Sequence, residues 1–169
     1  MLECALGQGY GPAAYTLLYL HSWPRSPDGS RSGPRTAATK ALALQTLQQG
    51  IRLGCADCAR SLLVEFDRPD DLADMLVPHT DKARSERYHV LHDALHWNPD
   101  LRLPNLDKIL PLPPAQLPQW NGDKKALIEA AQGATPKPPP AEASAAPHAN
   151  RHPQVDPGAG ALRLAESAV

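Results

Sequence analysis

From Ala37 onward, apolar residues fall at Ala37, Ala41, Leu44, Leu47 and Ile51, the three- and four-residue steps of one helix face. Thr36 can accept a hydrogen bond from the first turn and cap the start, and Gly54 can end the run. A helix is therefore predicted over residues 37–53. A second is predicted over 55–66 and a third over 81–98, with Tyr88, Val90, Leu91, Ala94 and Leu95 on its buried side. Between the early helices, residues 23–35 carry Pro24, Pro27, Gly29, Gly33 and Pro34, which forbid a helix there. Residues 67–80 read as a connector with one turn at 71–76, ended by Pro78.

The pattern changes at residues 101–120, LRLPNLDKILPLPPAQLPQW, where six leucines, one isoleucine and one tryptophan are threaded through five prolines. Proline fixes φ and removes backbone donors, so this stretch is neither a long helix nor a central strand. The expectation is an extended strap, with Leu101, Leu103, Leu106, Leu110 and Leu112 buried against the preceding helices. Pro104, Asp107, Lys108, Pro111 and Trp120 complete it, and Asn105 caps one turn over 106–110. Residues 120–123 read as a turn, and Asp123 can cap a closing helix over 124–132. Beyond it, residues 133–169 hold many prolines and alanines and no aromatics, a composition read as a disordered tail.

Residues 1–66 contain an internal echo. Gly9, Ala13, Leu17 and Leu18 recur as Gly54, Cys58, Leu62 and Leu63, an offset of 45 residues. A glycine can end one helix, a small residue admits a close neighbour, and leucines one turn later fill the seam. The reading is an all-α chain of helical hairpins over 1–98, a strap with a short closing helix over 99–132, and a tail over 133–169.

Composition narrows the function class. The chain has 169 residues and a formal charge of −1, which gives no long-range attraction to nucleic acid or to anionic membranes. No run of about 18 apolar residues is present, and no basic start leads into an apolar stretch. As written, the chain reads as beginning in the cytoplasm. A periplasmic location stays open if an export signal precedes it.

The Gly, small-residue and Leu pattern at this spacing resembles the Sel-1-like repeat, a relative of the tetratricopeptide repeat. Leu18 and Leu63 stand where that repeat usually has a second glycine. Arg87-Tyr88, the run PNLDKILPLPPA at 104–115, and Leu127-Ile128-Glu129-Ala130-Ala131 resemble a C-terminal domain of unknown function (DUF 6396 type). That domain follows Sel-1-like repeats in many proteobacterial proteins. The resemblance covers roughly residues 5–132. It implies helper or immunity proteins beside type VI secretion effectors, phospholipase-like ones among them, and it carries no catalytic residues across.

Candidate chemistry is sparse. His89, His92 and His96 share one face with Asp93, and a His pair at i, i+4 can hold a divalent metal. The face lies opposite Leu91, Ala94 and Leu95, so the expectation is a solvated polar stripe and no metal site. Cys55 and Cys58 form a lone CxxC, read mainly as small packing residues, with redox or metal use as the alternative. Gly7, Gly9 and Gly11 follow no strand, which argues against a phosphate loop. Ser61 and Ser85 have no base fixed by sequence, and Asp70 with Asp71 reads as solvated charge. No cofactor is expected.

The leading expectation is a non-enzymatic module that binds another protein, such as a secreted effector, with Tyr10, Tyr15, Tyr19 and Trp23 as aromatic anchors. Two alternatives are kept: a metal protein or enzyme using the histidine stripe, and a truncated fragment of a longer repeat protein.

Overall fold

The computed structural model describes residues 1–68 and 75–133. Seven helices occur among them: α1 Leu2–Gly7, α2 Ala13–His21, α3 Ala37–Arg52, α4 Ala56–Asp67, α5 Lys82–Trp97, α6 Leu106–Ile109 and α7 Lys124–Gln132. The described residues contain no strand, only an isolated bridge between Arg25 and Arg31 in the proline-rich loop. Asp70, Asp71, residues 69–74 of the 67–80 connector with most of the turn expected at 71–76, and nearly all of the Pro/Ala-rich stretch lie outside the described residues.

Local chemistry sets the helix ends. Thr36 accepts from Thr39 N–H at 3.2 Å while the Thr39 hydroxyl accepts from Thr36 N–H at 3.0 Å, a reciprocal cap that starts α3. Asp81 starts α5, accepting from Arg84 N–H at 3.0 Å. Asp123 starts α7, accepting from the N–H groups of Lys125 and Ala126. Asn105 precedes α6 but makes no side-chain cap bond. Gly9 and Gly54 both have φ +93°, a conformation glycine adopts without a Cβ clash.

Packing runs α1 on α2, α2 on α3, α3 on α4 and α4 on α5, with α7 against α5 and α6. Ala13, Leu17, Cys58 and Leu62 are all buried, whereas Leu18 and Leu63 are partly buried against the same core. Gly50 marks the closest approach. A Cβ there would stand 2.6 Å from the Ala14 Cβ and 2.7 Å from the Cys58 Sγ, so any larger residue would force α2, α3 and α4 apart. The predicted stripe on α3 holds for Leu44, Leu47 and Ile51 but not at its start, where Ala37 and Ala41 are exposed. The α5 stripe is buried at Tyr88, Val90, Leu91 and Leu95, with Ala94 partly buried.

Residues 98–123 contain one short helix, α6, and are otherwise irregular. Leu101, Leu103, Leu106 and Leu110 join the helical core, and Ile109, Leu112 and Leu117 pack on its edge. Pro104, Asp107 and Lys108 are exposed, and Pro111 and Trp120 are partly buried. Two backbone bonds fasten the segment: Leu103 N–H donates to Arg52 C=O and Asn105 N–H to Ala131 C=O, each at 3.0 Å. The Pro113–Pro114 peptide bond is cis.

Candidate functional site

Tyr15 and Tyr19, one turn apart on α2, project outward at 37 % and 53 % exposure. Their rings meet edge to face with centroids 6.0 Å apart. The Tyr19 hydroxyl, by hydrogen bonding, holds the Tyr15 pKa above its ordinary value. Tyr10 is also exposed but makes no ring contact among the described residues. Trp23 is partly covered, with the guanidinium groups of Arg31 and Arg35 at 4.7 and 4.8 Å from its ring centroid. The four aromatics therefore divide into an exposed pair, an isolated tyrosine and a tryptophan clasped by cations.

The histidine stripe lies on the outer side of α5. His89 and His92 flank Asp93 at 3.6 and 3.2 Å, and the rings of His92 and His96 stack at 6.0 Å. No group of three or more His, Cys, Asp or Glu side chains is placed to hold a metal ion among the described residues. Trp97, which sequence reasoning did not single out, stands 85 % exposed with its ring edge-on to His96.

Cys55 and Cys58, read mainly as packing residues with redox or metal use as the alternative, are both buried and are joined by a disulfide. Cys55 precedes α4 and its Sγ accepts from Cys58 N–H at 3.1 Å. The CxxC spacing was itself the signal, since a helix start brings these positions close enough to bond. Both serine hydroxyls are engaged by backbone carbonyls. Ser61 donates to Asp57 C=O at 2.9 Å and Ser85 to Leu63 C=O at 3.1 Å.

The most elaborate polar constellation is one the sequence reading missed. Arg84, Arg87 and Gln48 are buried at the junction of α3, α5 and residues 107–118. Proline-rich chain leaves carbonyl groups without ladder partners, and buried carbonyls need donors. Arg84 donates to the carbonyls of Pro111, at 3.1 Å, and Ala115, and pairs with Asp81. Arg87 donates to the carbonyls of Ile109 and Pro118. Gln48 Oε1 accepts from the Tyr88 hydroxyl at 2.7 Å, while its Nε2 donates to Leu110 C=O at 2.8 Å and to Asp107 at 3.3 Å. Burial pushes the Tyr88 pKa far up, and burial followed by the Arg84 charge pushes that of Arg87 down. The available signal was periodicity: Arg84, Arg87, Tyr88 and Leu91 fall on one helical stripe.

These features define a helical protein whose α5 grips an adjacent proline-rich segment through buried arginines. A family model described as "Domain of unknown function (DUF6396)" matches residues 58–161. The match spans well over half of the chain, which belongs to that family. It begins in α4 and takes in α5, the proline-rich segment and α7, running past residue 132 where the resemblance had been placed to end. No curated protein and no solved structure matches the chain.

Proposed function

We propose that this protein is a non-enzymatic protein-binding module, the immunity or adaptor partner of a type VI secretion effector. The observation that carries the reading is the exposed Tyr15–Tyr19 pair on α2, in a chain that buries Phe66 and Tyr88 completely. Tyrosine offers large contact area at low conformational cost, and exposed aromatic pairs are the kind of group that anchors interfaces. In this reading α1 to α5 form Sel-1-like helical hairpins, supported by the matched φ of Gly9 and Gly54 and the matched burial of Ala13 with Cys58 and Leu17 with Leu62. Residues 101–120 act as a built-in strap that closes the array, supported by their buried leucines and by the arginine contacts to their carbonyls. The likeness of residues 104–115 to proteins beside type VI effectors supplies the partner class.

The test is co-purification of the tagged full chain with the product of the neighbouring gene, together with rescue of a host expressing that product. A stable complex with rescue is expected. Failure of both removes the immunity reading.

A further inference from the structure

Arg87 is 5 % exposed, and no carboxylate pairs with it among the described residues. Its two hydrogen bonds go to neutral carbonyls, Ile109 at 3.3 Å and Pro118 at 2.6 Å, and its Nε–H has no partner among the described residues. A guanidinium offers five N–H donors and stays protonated at neutral pH, so most of its capacity is unmet. Arg84, one turn away, differs in having Asp81 as its counter-ion. A buried cation without an anion is costly, and breaking such pairing is among the most destabilising changes a protein can carry.

This cation lies on the wall of a cleft of about 710 Å³ between α7 and residues 109–121, lined also by Ile109, Pro118, Trp120, Ala126 and Leu127. The Trp120 ring centroid lies 5.6 Å from the Arg87 guanidinium carbon, and the indole is steadied by donating from Nε1 to Asp123 C=O at 3.0 Å. One cation on a wall that is otherwise apolar and aromatic, apart from the neutral amides of Gln119 and Asn121, matches a ligand with a single negative charge on an apolar body.

We propose that the cleft binds a small amphipathic monocarboxylate, its carboxylate beside the Arg87 guanidinium and its apolar body against Trp120, Ile109 and Leu127. One cation reaches the cleft, so a polyanion such as phosphate is poorly matched. This site lies at α7 and does not depend on the α2 surface.

The test uses the full chain and follows the Trp120 indole N–H by NMR, assigned with Trp120→Phe, during titration with octanoate, octanol or inorganic phosphate. Octanoate is expected to saturate with Kd below about 1 mM, and octanol and phosphate to bind at least about tenfold more weakly. Arg87 also supports the fold, so the decisive variant is Ala126→Trp, which fills the cleft from an exposed helix position. It should abolish the octanoate response while melting like the parent. No saturation by octanoate below about 1 mM, an equal response to octanol or phosphate, or undiminished octanoate binding by Ala126→Trp would each overturn the proposal.

Discussion

Replacing Gln48 with leucine tests how the proline-rich segment is held. Leucine is close to glutamine in volume, so the core is neither overfilled nor emptied. The polar accounting changes sharply. In the parent, the Gln48 amide satisfies the Tyr88 hydroxyl at 2.7 Å and the Leu110 carbonyl at 2.8 Å, both on fully buried residues. Each orphaned group costs about 1–3 kcal/mol, so Gln48→Leu should destabilise by about 2–6 kcal/mol. That is a large share of the ~5–15 kcal/mol typical of a domain. Adding Tyr88→Phe removes one orphan while keeping the ring, whose centroid lies 5.6 Å from that of Phe66. The double variant should therefore be more stable than Gln48→Leu alone, by about 1–3 kcal/mol. Urea unfolding followed by circular dichroism at 222 nm, read at constant m, measures both. A Gln48→Leu protein within about 0.5 kcal/mol of the parent, or a double variant no better than the single one, refutes the role given to this network.

Three further outcomes follow from the same core. Changing Leu106, Leu110 and Leu112 together to serine should abolish cooperative thermal unfolding, since the first two are fully buried and the third packs on the core edge; a parental melting curve would mean that the segment contributes little. Alkaline stability should depend on Tyr88, whose folded pKa is raised by burial above the ordinary tyrosine value of 10.0. Both states are neutral below that value, so its contribution is fully present there. It is lost as pH rises and the unfolded chain ionises first, by about 1.4 kcal/mol per pH unit. The fall should be shallower in Tyr88→Phe. Native alkylation followed by mass spectrometry should modify one cysteine, the exposed Cys4, and three after reduction and unfolding, because Cys55 and Cys58 are bonded and buried.

The helices were legible because their signals are local. Thr36, Asp81 and Asp123 each sit one residue ahead of a helix, and Gly54 follows the end of α3. Burial along α5 was legible too, since Tyr88, Leu91 and Leu95 repeat at helical spacing. The polar half of the core was hidden because it depends on pairs far apart in sequence. Arg84 meets Ala115 and Gln48 meets Leu110 only after folding, and arginine on its own reads as surface charge. Of the histidines expected to face solvent, His89 and His96 are exposed and His92 is partly covered, whereas the prominence of Trp97 had no local signal.

Isothermal titration of the purified neighbouring gene product into the full chain, and into Tyr15→Ala/Tyr19→Ala, tests the proposed binding role most directly. The parent should bind with Kd below about 1 μM, and the double variant at least about tenfold more weakly at an unchanged melting temperature. No heat of binding to the parent, or equal affinity for both proteins, would contradict the account.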